Sequence, residues 1–166
     1  FIFRNKIING DMSIWQRGNT PTVGNGLYMA DRWLNWFDGS GSTRTCTNTG
    51  FTLGQEPAVG YAASSFMRYA QTVAGTGATY NYILQPIEGV RTFAGQTITI
   101  SFYARAAAAL TMPAIQMIQI YGTGGTPSAA LYTPVTTNVS VGTSWARYTY
   151  TVTTVSYTHL TLPTKA

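Results

Sequence analysis

Charge is what this chain has least of. Asp, Glu, Lys and Arg make up 9% of its 166 residues, against roughly a quarter in ordinary globular domains. Acid–base catalysis needs titratable groups in pairs, and the acids are only Asp11, Asp31, Asp38, Glu56 and Glu88. They are scattered, so two carboxylates facing each other across a cleft, as glycoside hydrolysis requires, would be an accident of folding. Asp11, Asp31 and Glu88 stand near Arg17, Arg32 and Arg91, and structural ion pairing is their expected use. Histidine is nearly absent: His159 stands alone in a C-terminal stretch considered below, which leaves no Ser-His-Asp or Cys-His arrangement. Cys46 is the single cysteine. It permits no internal disulfide and no cysteine metal cluster, and reads as a half-buried strand residue. The net charge of +5 is dispersed over single arginines with no Lys/Arg run, so no nucleic-acid partner is expected. No apolar run is long enough to span a bilayer, so no membrane insertion is expected either. The glycine-rich turns lack the Lys-Ser/Thr of a phosphate loop. These absences point away from an enzyme and from any cofactor.

What fills the space is Thr, Gly, Tyr, Ala and Ser. Thr and Tyr suit pleated, half-buried surfaces, and apolar residues recur with period two. In Thr97–Arg105, Ile98, Ile100, Phe102 and Ala104 share one face, expected to be buried. Thr97, Thr99, Ser101, Tyr103 and Arg105 share the other. Ser144–Val152 alternates in the same way. Arg32–Phe37, Ser65–Thr72, Thr79–Ile87 and Ala114–Tyr121 read as further strands. Turns punctuate them at Gly24-Asn25-Gly26, Asp38-Gly39-Ser40-Gly41, Gly75-Thr76-Gly77, Gly122-Thr123-Gly124-Gly125 and Val141-Gly142-Thr143. The helix-friendly stretch Ala104–Leu110 is short, stops near Pro113 and reads as a connector. Many short strands between such turns imply an antiparallel β-sandwich or barrel in one domain.

Three segments carry a more specific signal: Asn9-Gly10-Asp11-Met12-Ser13-Ile14-Trp15-Gln16-Arg17-Gly18, then Ala30-Asp31-Arg32-Trp33, and the longer run 83–106 containing Gln85-Pro86-Ile87-Glu88-Gly89-Val90-Arg91-Thr92. Their order and spacing resemble a jelly-roll module of bacteriophage tail-fibre and related virion proteins. The resemblance implies an all-β jelly roll over residues 1–154, C-terminally incomplete, located in the virion. It implies partnership with other virion proteins, a homotrimer in a fibre, and attachment to a bacterial surface glycan. The alternatives are a carbohydrate-binding module of a secreted bacterial enzyme and a purely structural fibre spacer. Carbohydrate-binding modules with a similar opening often hold calcium through a glutamate. Ser13 stands at that position here and is a poor hard-oxygen ligand, so no metal is expected.

Aromatic residues are the remaining functional resource, because flat rings stack on the apolar faces of sugars. Trp15, Trp33 and Trp145 are expected to pack. Phe37, Tyr61, Tyr121 and Tyr132 are weaker candidates. Trp36 beside a Gly-rich loop, Tyr80 and Tyr82 on one strand face, and Tyr103 are the expected glycan-binding rings, with Arg105 as polar partner. If their strands share a sheet, Tyr80, Tyr82 and Tyr103 form a platform, with Asn81 turned the other way.

Residues 155–166 carry a signal of another kind. Val155–Thr164 back-translates, codon by codon, into the transposase-end adapter of a common shotgun sequencing kit. The expectation is that this tail is translated adapter, that the natural gene continues past Thr154, and that a start at Phe1 marks a truncated N-terminus. A segment of such origin would carry no information on the natural fold.

Overall fold

A computed structural model describes residues 5–58, 60, 63–123 and 127–156. Tyr61, His159, the Gly124-Gly125 end of one turn and the tail from Tyr157 onward lie outside the described residues. Nine strands, every pairing antiparallel, and one 3-10 turn at Val90–Thr92 make up the secondary structure of the described residues. The chain is all-β, as its composition requires and consistent with a β-sandwich. Among the described residues no helix is long and apolar enough to cross a membrane. Two compact units divide the chain, Phe1–Ile87 and Glu88–Ala166.

In the first unit, β1 (Leu27–Tyr28), β2 (Leu34–Phe37) and β5 (Asn81–Leu84) form a sheet in the order β1-β2-β5. β3 (Thr43–Gly50) and β4 (Ser65–Val73) form a second sheet. Side chains from the two sheets meet. The Tyr69 hydroxyl on β4 donates to Asn35 Oδ1 on β2 at 3.2 Å, and the Arg44 guanidinium on β3 lies 3.7 Å from the centre of the Phe37 ring. Met29, Ala30, Leu34, Asn35, Arg44 and Cys46 are buried.

The two N-terminal motifs clasp one another. Asn9 Oδ1 accepts from the Ile14 amide at 2.9 Å, and Asn9 Nδ2 donates to the carbonyls of Ile14 and Asp31, each at 3.0 Å. The Trp33 indole donates to the Asn9 carbonyl at 3.0 Å, and the Trp15 indole donates to that of Met12. Both tryptophans are half-buried, so they pack as their positions suggested. Arg17 pairs with Asp31 at 3.1 Å, not with its nearer acid Asp11. Asp11 instead accepts from the Ser13 hydroxyl at 3.0 Å, because a short Asp side chain readily bonds two residues on along its own backbone. The motif residues therefore work as structural fasteners.

The second unit pairs β6 (Thr97–Ala104) with β9 (Ala146–Thr153) and β7 (Leu110–Gln119) with β8 (Leu131–Val141). Ile98, Ile100 and Phe102 stand opposite Val152, Tyr150 and Tyr148. The Phe102 and Tyr148 rings stack at 5.5 Å and 19°. On the other face Thr97, Thr99 and Ser101 are exposed, and Thr97 and Thr99 bond across to Thr153 and Thr151 at 2.9 and 3.2 Å. The alternation is as expected, but the apolar face is half-buried and not buried. A two-stranded ribbon offers few same-face neighbours to cover a ring or an isoleucine.

Two strands carry weak signals in the sequence. β8 contains Pro134, which usually demotes a run from strand status; here a register shift between Ile115 and Gln116 accompanies it. β7 begins at Leu110 and runs through Pro113, four residues before the expected start at Ala114. A strand bonded on one side can accommodate a residue with no N–H.

Thr154 and Val155 are tied in. The Thr154 amide donates to the Gln96 carbonyl at 3.0 Å, and the Val155 carbonyl accepts from Gly95 at 3.0 Å. The Val155 amide donates to Gln119 Oε1 at 3.2 Å. These bonds run through the main chain of Thr154 and Val155 and do not depend on the identity of their side chains. Truncation after Ser156 should change stability by no more than ~0.5 kcal/mol. Truncation after Thr153 should lose several hydrogen bonds of about 1 kcal/mol each. Urea denaturation of the two truncations checks both values.

Burial pushes the Cys46 thiol up to about 12, and the residue is 2% exposed. Thiolate is the reactive form. Cys46 should therefore resist a thiol reagent in mildly alkaline buffer and react fully once urea unfolds the chain. Rapid labelling of the native chain would contradict its placement in the core.

Candidate functional site

The register of β2 against β5 brings three of the expected rings together. Trp36 stands directly opposite Tyr82. Tyr80, two residues before Tyr82, points the same way, and the two tyrosine rings stack at 5.3 Å with 17° between their planes. The Trp36 indole donates to the Tyr80 hydroxyl at 3.2 Å, which closes the triangle. Trp36 remains 46% exposed, and Tyr80 and Tyr82 are half-buried. The result is a small aromatic shelf, oriented by its own hydrogen bond.

Asp38 follows the last residue of β2, and its amide donates to the Tyr80 carbonyl at 3.4 Å. Its Oδ1 accepts from the amides of Thr79 at 2.7 Å and Tyr80 at 3.0 Å, and its Oδ2 accepts from the Thr79 hydroxyl. The Thr79 hydroxyl, followed by the Tyr80 amide, holds the carboxyl below its ordinary value. Asp38 thus ties the end of β2 to the start of β5 and sets where Tyr80 sits.

Two loops meet at this end of the sheet through a bridge between Ser40 and Thr76, with amide-to-carbonyl distances of 3.0 and 2.9 Å. A Cβ on Gly39 would fall 2.7 Å from the Thr76 carbonyl, and one on Gly75 would fall 2.5 Å from that of Ser40. Both glycines have positive φ, 84° and 74°. Glycine is thus required twice over, for space and for conformation.

Beneath the shelf, on the opposite face of β2 and β5, lies a polar layer. Asn35 is fully buried. Its Nδ2 donates to Asn81 Oδ1 and to the Tyr82 carbonyl, each at 2.8 Å. Asn81 Nδ2 donates to the Tyr69 oxygen at 3.0 Å. Asn81 does point away from the shelf, as alternation implied. Asn35 and Tyr69, which hold the shelf from below, have no marker in the sequence: an Asn between Leu34 and Trp36 looks like an ordinary strand position. Asp38 is visible there only as the opening of an Asp-Gly turn.

Tyr103 and Arg105 belong to the second unit. Tyr103 lies on β6, which pairs with β9 and not with β5, so no single sheet joins Tyr103 to Tyr80 and Tyr82. Tyr103 is half-buried opposite Arg147. Arg105 lies 5.4 Å from the centre of the Trp145 ring. Its cation is already applied to an aromatic face there.

The Asp38 clamp makes the shelf sensitive to acid. Its folded value is lowered, so its contribution is complete above the ordinary carboxylate range, near 3.9, and is lost as pH falls through the lowered value. The Trp36 indole N–H resonance should hold constant from neutral pH into the mildly acidic range and shift only in strong acid. Asp38→Asn should abolish that transition. A shift centred above the carboxylate range, or one that persists in the variant, would contradict the clamp.

No family model matches the chain, and no curated protein or solved structure matches it either.

Proposed function

We propose that this chain is a non-enzymatic recognition module that places the shelf of Trp36, Tyr80 and Tyr82 against a sugar ring on a bacterial surface. The carrying observation is the convergence of three rings on one exposed sheet face, fixed by the Trp36–Tyr80 hydrogen bond. A pre-oriented ring supplies apolar area with little ordering entropy to lose. A shelf this small gives weak binding at one site, and repetition along a fibre would raise the effective affinity by making later contacts intramolecular. The setting in a phage tail fibre, and the jelly-roll order that goes with it, rest on the motif resemblance. The same shelf would serve a module of a secreted glycan-active enzyme. Tail and baseplate genes beside the natural gene support the virion setting, whereas a glycosidase domain in the same reading frame overturns it.

A multimerised chain probed on an array of bacterial envelope glycans tests the binding itself. Trp36→Ala and Tyr82→Ala should each weaken the signal at least tenfold, about 1.4 kcal/mol, while Tyr103→Ala leaves it unchanged. Loss with Tyr103→Ala and not with the other two would move the site to the second unit. No signal on any glycan favours a structural spacer.

A further inference from the structure

The chemistry beside the rings narrows the ligand class. Asp38 uses three of the roughly four acceptor positions of a carboxylate: both on Oδ1, filled by the Thr79 and Tyr80 amides, and one on Oδ2, filled by the Thr79 hydroxyl. One position on Oδ2 remains for an incoming donor, on a carboxylate held against the Thr79 and Tyr80 amides. The faces of Trp and Tyr rings are themselves negative and attract cations.

The described positive side chains of this unit each have a place of their own. Arg17 is ion-paired with Asp31 and lies over the Tyr28 ring, 5.2 Å from its centre, at the Leu34 end of β2. Arg32 donates to the Pro86 carbonyl. Arg44 is buried against Phe37, on the opposite face of β2 from Trp36. Arg68 neighbours Tyr69 in β4, so alternation turns it away from the side that meets β2. Lys6 precedes Ile8, whose backbone is bonded to Gln85 beyond the far end of β5 from Tyr80. Among the described residues, the charge beside Tyr80 is the carboxylate of Asp38, while the Arg17–Asp31 pair stands by Tyr28 at the other end of β2.

We infer that the shelf selects sugars carrying a free ammonium group, with the ring over Trp36 and Tyr82 and the ammonium donating to Asp38 Oδ2, and that it disfavours uronic and other acidic sugars. This rests on the proposed glycan shelf and adds the charge of the ligand to it. N-acetylation removes the positive charge and keeps the sugar ring, so it separates the two contributions.

The test uses the full chain and three oligosaccharides: glucosamine, N-acetylglucosamine and galacturonic acid oligomers. Affinities are measured by calorimetry in mildly acidic buffer, where the amine is protonated and Asp38 is ionised. The glucosamine oligomer should bind about tenfold more tightly than its N-acetylated form, the size of one cation–π contact with a carboxylate beside it. The galacturonic acid oligomer should bind most weakly. The preference should shrink as salt is added, because an exposed charge pair is screened. In Asp38→Asn the glucosamine and N-acetylglucosamine oligomers should bind alike. The rank order and its salt dependence are read on the unaltered chain, so they decide the matter even where the variant folds poorly. Equal binding of the first two oligomers, tighter binding of the acidic one, or a preference that survives in Asp38→Asn overturns the charge selection and leaves the shelf standing. Binding of none of the three overturns the shelf and the selection with it.

Discussion

The candidate site depends on one strand pairing, β2 against β5, and on its register. Side chains alternate across a strand, so a slip of one residue would turn Trp36 inward and bring Asn35 and Phe37 to the surface. Three features oppose that slip. Asn35 bonds the Tyr82 carbonyl from below. Asp38 bonds the Thr79 and Tyr80 amides at the end of the ladder. The Ser40–Thr76 bridge, possible only with glycine at Gly39 and Gly75, closes the loops beyond it. Each device acts on the backbone, so the position of the rings is set independently of anything they bind.

The layer beneath the shelf is polar where an apolar core would be simpler. Buried Asn35, half-buried Tyr69 and exposed Asn81 bond one another, and directional bonds of this kind specify geometry more narrowly than hydrocarbon packing does. Removing a partner of the buried Asn35 would leave its amide with an unmet group, at about 1–3 kcal/mol. The arrangement suits a surface that presents rings in a fixed order. Arg44 adds a cation over Phe37 in the same layer.

Much of the fold was legible in the sequence because period-two alternation survives in the structure: β6 and β9 have their faces where the pattern put them. The common face of Tyr80 and Tyr82 followed from the same rule, and Asn81 turned away as that rule required. What alternation cannot supply is which strands pair. Tyr103 looked equivalent to Tyr82 because each is an aromatic on a strand face, yet β6 bonds to β9 and β5 to β2. Pairing is decided by contacts between segments distant in sequence, and local pattern is blind to it. Prolines hid the extent of β7 and the whole of β8, since their penalty depends on which edge is hydrogen-bonded. Asp31 and Arg17 found one another for a similar reason: nearness in sequence pointed to Asp11, but the clasp built around Asn9 governs the pairing.

The chain has four tryptophans, and each gives a separate indole N–H resonance. They divide naturally: Trp15 and Trp33 fasten the N-terminal motifs, Trp145 lies by Arg105, and Trp36 stands on the shelf. Titrating the isotope-labelled chain with glucosamine and N-acetylglucosamine oligosaccharides tests the central claim in a single spectrum series. If the shelf is the binding surface, the Trp36 indole signal moves with increasing oligosaccharide while the other three hold their positions. Movement of the Trp145 signal with Trp36 unchanged, or four unmoved signals, would contradict it.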